Sequence, residues 1–387
     1  VAELRPGLGT PAAKESALRV AVVGGGLAGA GVARSLALRG HAVQVYDPVF
    51  AAGQVSDLRG AAALVPALTI DDDTRSRLSR SGLALARLRW RALPDQARPE
   101  ACGALVCAQD PQEALKQQAA VAALAFPQDW VRWLDVSQAQ ARAGVGLHEG
   151  GLWFQSAMLV RPAILIPALL AHPGIQRHGA RIMQLSFAAE SWHLRTDDGA
   201  VAQADAIVLA NASGAAALLE TCQALGPFPK LRTAEPLAGQ VSLFRVPPDA
   251  PGADVPRCIL AGKGYCLPPR MGWGIAGSTY RSGVATSEAD AQGHRLIQAQ
   301  LAGWLPEASV PWLGRGAPEG WAGWRLATRD HLPIMGAVPG QPNLWLACAY
   351  GSRGLSWSAL AGEVIAAQWA QEPVPLEREL LARIGPR

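Results

Sequence analysis

An α/β fold, in which a parallel-sheet domain is interleaved with a second domain on a mixed or antiparallel sheet, follows from three observations. Residues 19–47 run strand, glycine turn, helix, strand, the pattern of a parallel unit. A short apolar run at residues 206–209 reads as a strand returning to that first sheet, and 344–349 as another buried strand. Between them, strand-like segments at 240–244, 258–260, 265–267 and 273–276 follow one another without intervening helices, which is an antiparallel pattern.

The first unit carries the most specific signal. Residues 20–23 are a β-branched apolar run, and Gly24, Gly26 and Gly29 follow in G-x-G-x-x-G spacing. Val32, Ala33, Leu36 and Ala37 then fall on one helical face, and the pattern stops at Gly40. A second strand ends at Asp47. Gly24 permits the tight turn, Gly26 lets the backbone approach a pyrophosphate, and Gly29 lets helix and strand pack closely. The free N–H groups at the helix start receive phosphate charge. A carboxylate at Asp47 can accept hydrogen bonds from ribose hydroxyls, which favours FAD or NAD over NADP. A glycine-rich turn in an ordinary α/β domain would not place glycines, helix stop and terminal acid in one register. The unit is therefore predicted to be a Rossmann-type dinucleotide site.

The remaining elements follow in order. Residues 48–69 read as loop and short strands, including Arg59 and Gly60. Asp71, Asp72 and Asp73 precede a helix predicted over 74–92, where negative charge suits the helix dipole. Its Arg77, Arg80, Arg87 and Arg91 share a face, either as a solvated surface or as a stripe that contacts RNA phosphates. Another helix is expected around 111–125, and residues 151–162 read as a strand pair leading into a helix over 163–171. Residues 182–187 and 191–195 form a predicted hairpin, and Asn211, Ser213 and Gly214 a tight turn after the returning strand. The proline-rich stretch 227–256 marks a crossing between domains, and a helix is expected over 287–304. Residues 320–370 offer a loop with Arg325 and Arg329, the buried strand 344–349, turns at Gly351 and Gly354, and a final helix from Leu355. The N-terminus of that helix is a second anion-favouring position.

Composition bounds the rest. The chain has 387 residues, half of them hydrophobic, enough for two or three domain-sized units, and a net charge of +4 that permits an acidic partner without requiring one. Six scattered cysteines show no zinc spacing, so no metal site is expected, and they read as reduced thiols of a cytoplasmic protein. The apolar run 157–171 is too short to span a membrane and contains Arg161, Pro162 and Pro167. Residues 1–18 read as a flexible leader or linker, and a chain that starts at Val1 is expected to be processed or a piece of a longer polypeptide.

The motifs VVGGGLAGAGVARSLALRGHAVQVYD, ADAIVLANASG, GYCLPPRMGWGIAGSTY and the 320–362 segment resemble the D-amino-acid oxidase-like family of FAD-dependent amine oxidases. Within it, ATRDHLPIMGAVP, LRGAAALVP, SRLSRSGLALARLRWRAL and AGQVS are most similar to the oxidoreductase domain of bifunctional enzymes that modify the tRNA wobble uridine. The resemblance covers nearly the whole chain after residue 18. It implies an FAD-binding domain over 19–60, 150–230 and 325–387, and a substrate domain over 61–149 and 231–324. It further implies FAD contacts at Leu27, Ala28, Arg59, Gly60, Ile182, Asn211, Gly214, Gly351, Gly354 and Leu355, besides Gly24, Gly26, Gly29 and Asp47. No cysteine lies between Leu267 and Ala347, where related sarcosine oxidases attach their flavin, so the FAD is expected to be non-covalent.

The implied reaction is oxidation of a carboxymethyl-bearing secondary amine, converting 5-carboxymethylaminomethyl(-2-thio)uridine in tRNA to 5-aminomethyl(-2-thio)uridine and glyoxylate. The implied partners are tRNA and a methyltransferase domain, fused or separate. Arg325 and Arg353 match carboxylate- or flavin-contacting arginines, a residue type that binds carboxylates bidentately. Tyr265 matches a pocket tyrosine of glycine oxidase. The competing roles are an ion pair of Arg325 with Asp330, helix packing for Arg353, and core packing for Tyr265. His331 reads as structural. Where relatives have an arginine and a Gly-Trp, this chain has Ala238 and Met158-Leu159, departures placed near the substrate. They leave two other readings: an oxidase of glycine, sarcosine or a D-amino acid, and a non-catalytic flavin-binding module for RNA or a protein partner.

Overall fold

The computed structural model describes residues 17–52, 59–222, 228–248, 250 and 255–386. The expected leader lies outside them except for Ala17 and Leu18. A six-stranded sheet runs in the order Ile334–Ala337, Leu344–Cys348, Ala206–Leu209, Arg19–Val23, Ala42–Tyr46, Ile175–His178. All its pairings are parallel except that of the Ile334–Ala337 edge strand. Its central strands are apolar throughout because both faces are covered. One face carries the helices Leu27–Ala37, Pro162–Leu170 and Gly354–Trp369 over Val20, Val22, Val43 and Val45. The other packs Ala21, Val23, Ile207 and Leu209 on Trp192 and Leu194 of a small three-stranded sheet.

The second large sheet has eight strands: Glu319–Ala327, Glu235–Arg245, Trp273–Gly277, Gly264–Arg270, Ile259–Gly262, Ala104–Cys107, Gly151–Phe154, Arg132–Leu134. Only Ile259–Gly262 with Ala104–Cys107 is parallel, so the sheet is mixed, as expected. Strand alternation separates its two apolar faces. Leu105, Trp153, Cys266 and Ala276 lie in one cluster, and Phe154, Leu243, Leu267 and Ile275 in the other.

Several expectations are corrected. The two strands expected over 151–162 form but enter different sheets: Gly151–Phe154 joins the eight-stranded sheet, whereas Met158–Val160 pairs with Ala62–Leu64. Met158 and Leu159 are buried, 5% and 3% exposed, in two different apolar clusters. Residues 319–327 form an edge strand rather than a loop. The helix expected over 287–304 is Ala291–Ala302, and its start is set by the Asp290 side chain accepting from the Gly293 N–H. The helix expected over 74–92 ends at Trp90, and Asp73 alone of the three acids caps it, through the Ser76 N–H. Helix Thr74–Trp90, within the segment assigned to the substrate domain, packs on Gly354–Trp369.

Helices Leu27–Ala37, Thr74–Trp90 and Gly354–Trp369 meet around one buried acid. The Glu363 carboxylate accepts from Ser35 Oγ (3.0 Å), Arg39 Nη2 (3.3 Å) and Arg89 Nη2 (2.5 Å). Burial raises the Glu363 pKa, but these donors outweigh burial and leave it below the ordinary value. A depressed folded-state pKa contributes stability above the unfolded value, about 4.3, which is lost as pH falls through the folded value. Glu363→Ala is expected to lower stability by about 2–4 kcal/mol at neutral pH in urea denaturation, because two guanidinium groups lose their buried partner. Glu363→Gln is expected to remove the part of the acid-unfolding slope below about pH 5 that this carboxylate supplies.

Candidate active site

The ends of the parallel strands gather two helix N-termini. Gly24, at φ 107°, donates its N–H to Tyr46 O, and Ala210 at the end of the neighbouring strand donates to Val23 O. A Cβ on Gly29 would lie 1.8 Å from Gly24 O, so only glycine lets the helix start this close to the strand. A Cβ on Gly26 would meet nothing within 4 Å, which leaves open space in front of its backbone. Ser358 Oγ donates to Leu27 O, and Gly354 lies against Leu27, so the starts of Leu27–Ala37 and Gly354–Trp369 are neighbours.

Helix capping differs along the chain. Helices Thr74–Trp90, Pro111–Leu124, Val136–Ala143 and Ala291–Ala302 each have an aspartate at the N-cap accepting a backbone N–H. Pro162–Leu170 and Pro229–Arg232 lack a side-chain cap and an early acid. Leu27–Ala37, Gly214–Thr221 and Gly354–Trp369 also have no side-chain cap and no acid in the first turn. Their first N–H groups have no intrahelical acceptor and carry the positive end of the dipole. Asn211 beside Gly24 has a buried Oδ1 without a partner among the described residues. Asp47 accepts from Gly25 N (2.7 Å) and Val49 N (2.9 Å), which fixes its carboxylate beside the glycine turn. Open cradle, uncapped helix starts, orphan acceptor and oriented acid fit the pyrophosphate and ribose of a dinucleotide. Gly351, at φ 53°, forms the turn before Gly354 and Leu355, and Ile182 packs in the cluster holding Val23 and Tyr46.

Arg59, expected at the cofactor, has partners on the eight-stranded sheet. It forms an ion pair with Glu319 and lies over the Trp273 ring at 4.6 Å. Gly60 follows it outside any helix or strand.

The eight-stranded sheet brings the candidate substrate residues to one corner. Arg325 projects on the same face as Gly239 and Gly323, which are directly paired across strands. A Cβ on Gly239 would fall 1.4 Å from Arg325 Nη1, so the guanidinium occupies the space a side chain there would fill. Nη1 donates to Thr279 O (3.3 Å), and the guanidinium lies 4.9 Å from the Tyr280 ring centroid. The expected alternative, a pair with Asp330, is not formed. Asp330 accepts from Thr328 Oγ1 and lies 3.2 Å from Lys230 Nζ. Among the described residues no acid pairs with Arg325.

Tyr265 lies three strands away, its hydroxyl beside Gly277. Burial pushes its pKa well up, against the pull of Arg325 and with Tyr280 adding to the rise, so the phenol stays neutral. The Arg353 guanidinium donates to Val65 O (3.3 Å). Burial and Arg75 pull its pKa down while Tyr280 and Asp73 pull it up. It nevertheless stays charged. Tyr280 is a site residue the sequence reading missed. Ala238 is buried on the opposite sheet face and bridges to Arg281 through its backbone. Exposed His331 contributes a backbone N–H to Thr328 O.

The arginine stripe is divided. Arg77 pairs with Glu377 (3.1 Å), and Arg80 pairs with Asp72 (2.8 Å) and stacks on Phe126 and Trp130. Arg87 and Arg91 are exposed. Burial raises the thiols of Cys258, Cys266 and Cys348 to about 12.

Residues 19–368 match the model of a family described as FAD dependent oxidoreductase. A bifunctional protein for tRNA 5-methylaminomethyl-2-thiouridine biosynthesis, MnmC, from Ralstonia nicotianae is 35% identical over 94% of this chain and 59% of its own length. Its counterpart from Thiobacillus denitrificans is 34% identical over 95% and 59%. This chain thus spans about 59% of these curated relatives. Among solved structures, glycine oxidase from Geobacillus kaustophilus superposes with a TM-score of 0.75 at 20% identity, over 96% of this chain and 99% of that one. Iminodiacetate oxidase from Chelativorans sp. gives 0.76 at 22%, over 95% and 100%.

Proposed function

The chain belongs to the family of FAD-dependent oxidoreductases, and from that premise we propose that it oxidises a carboxymethyl-bearing secondary amine on the tRNA wobble uridine. The substrate would be the 5-carboxymethylaminomethyl(-2-thio)uridine side chain, and the products the 5-aminomethyl base and glyoxylate. The observation that carries the proposal is Arg325, a guanidinium seated over Gly239 with no carboxylate partner among the described residues. The likeness to tRNA-modifying relatives supplies the RNA.

Gly24, Gly26, Leu27, Ala28, Gly29, Asp47, Asn211, Gly214, Gly351, Gly354 and Leu355 would hold FAD without a covalent bond. When bound, FAD supplies the acceptor for the two electrons of the C–H bond. Arg325 binds the substrate carboxylate bidentately and so fixes the orientation of the adjacent CH₂. Arg353 adds positive charge at the same corner, where it favours the anionic substrate. Tyr265, held neutral by burial, donates a hydrogen bond rather than removing a proton. The substrate carbon loses a hydride and its nitrogen a proton. Water then adds to the C=N bond, and cleavage releases glyoxylate and the primary amine.

Arg87 and Arg91 are the remaining candidates for phosphate contact. Because the relatives are bifunctional and longer, the methyltransferase step would come from a fused or separate domain. No helix among the described residues is long and apolar enough to cross a membrane, and a tRNA substrate places the proposed activity in the cytoplasm.

The test is anaerobic bleaching of the FAD-loaded protein by unmodified tRNA, by tRNA carrying the carboxymethylaminomethyl group, and by free glycine or sarcosine. Bleaching by the modified tRNA much faster than by the free amino acids, with glyoxylate released, is the expected result. Bleaching by the free amino acids instead would replace the proposal with a small-substrate oxidase. Tight RNA binding with no bleaching by any amine would favour a non-catalytic module.

A further inference from the structure

Two aromatic rings stand at the open side of the Arg325 corner, and neither has a role in binding the carboxylate. Tyr280 is 53% exposed and Trp321 is 51% exposed, large values for rings beside a buried site. Tyr280 lies 4.9 Å from the Arg325 guanidinium. Trp321 shares a sheet face with Gly323 and Arg325, because strand residues two apart point the same way. Its ring folds along the strand over Gly323: a Cβ there would meet Trp321 Cη2 at 2.8 Å. Gly323 is paired directly with Gly239, the glycine under the guanidinium. Indole and guanidinium therefore cover adjacent members of one cross-strand glycine pair, with the Tyr280 ring on the guanidinium.

We propose that Tyr280 and Trp321 form a stacking platform that binds the planar nucleobase of the substrate outside the Arg325 carboxylate grip. The platform deepens the proposed function, on which it rests, by naming the residues that favour a base-bearing amine over a free amino acid. A carboxymethylamine bound to Arg325 must direct its remaining substituent away from the guanidinium. The half-exposed rings present π faces on that side. Aromatic rings accept the faces of nucleobases with little regard to sequence, which suits a target defined by its modification. Stacking of the base also fixes the direction in which the short aminomethyl arm enters.

The test compares the FAD-loaded wild type with Tyr280→Ala, Tyr280→Phe and Trp321→Ala. The two substrates are an anticodon hairpin carrying 5-carboxymethylaminomethyluridine and N-ethylglycine, a secondary carboxymethylamine without a ring. Flavin absorbance and hairpin affinity, from fluorescence anisotropy, are read alongside kcat/KM. Each alanine variant is expected to lose about tenfold to a hundredfold more kcat/KM on the hairpin than on N-ethylglycine. Hairpin affinity falls in parallel, and Tyr280→Phe restores most of both. Equal losses on the two substrates would overturn the platform, because that pattern belongs to a disturbed Arg325. Loss of flavin from Trp321→Ala would overturn it by making the indole a cofactor contact. Wild-type rates on the hairpin in both alanine variants would overturn the platform while leaving the proposed function standing. Wild-type protein that oxidises N-ethylglycine but never the hairpin would remove the proposed function itself, and the platform with it.

Discussion

Arg325→Ala is expected to yield a folded, FAD-loaded protein whose reduction by the carboxymethylaminomethyl substrate falls about 100- to 1000-fold. The magnitude follows from removing charge-assisted donors aimed at the substrate carboxylate, about 3–4 kcal/mol of transition-state stabilisation. Folding should survive, because Arg325 makes one hydrogen bond of 3.3 Å, to Thr279 O, and no ion pair among the described residues. Arg325→Lys keeps a point charge but loses the planar fork, so it should recover only part of the rate. Gly239→Ala supplies an independent check without touching the arginine. Its Cβ would fall 1.4 Å from Nη1, so the guanidinium must leave its seat and the rate should fall as in Arg325→Ala. Single-turnover flavin reduction measures all three variants. A rate within about threefold of wild type in Arg325→Ala would remove Arg325 from substrate binding.

The legibility of this corner differs sharply from that of the glycine turn, for a physical reason. Residues 19–47 form a local unit in which each glycine answers to a neighbour in the same stretch, so spacing alone places them. Arg325 lies on a strand that exists because Glu235–Arg245 lies beside it. Taken alone, EGWAGWRLA has two glycines and no clean apolar alternation, and it reads as loop. The importance of Gly239 depends on the same pairing and cannot be read from residues 238–240. Tyr280 follows the end of the Trp273–Gly277 strand, and only the sheet register brings it over Arg325.

Charge was legible where the partner lies close in sequence and hidden where it does not. Asp73 as helix cap could be read directly, and Asp290 offered the same signal for the helix starting at Ala291. The partner of Arg77, Glu377, lies at the other end of the chain. The arginine stripe therefore looked more uniform in sequence than it is in space. The Arg59–Glu319 pair is another such case, a long-range contact that ties Arg59 to the eight-stranded sheet.

Gly29→Ala is expected to abolish FAD binding, giving a colourless protein with affinity for added FAD lowered at least about 100-fold. The new Cβ would meet Gly24 O at 1.8 Å, and that oxygen cannot move freely. Gly24 is held at φ 107° and by its N–H to Tyr46 O, and Gly25 by Asp47. The helix start must shift instead, at a cost of about 1–3 kcal/mol in packing, and its N–H groups then miss the pyrophosphate. Gly26→Ala separates the two effects. A Cβ there meets no protein atom within 4 Å, so the variant should match wild type in urea denaturation. Its Cβ would nevertheless enter the space the pyrophosphate approaches, so FAD affinity should still fall. Calorimetric titration of both apo-proteins with FAD gives the comparison. Wild-type FAD affinity in Gly26→Ala would show that no ligand approaches the backbone there. Loss of affinity at both glycines, with loss of stability only at Gly29, is the pattern a phosphate cradle requires.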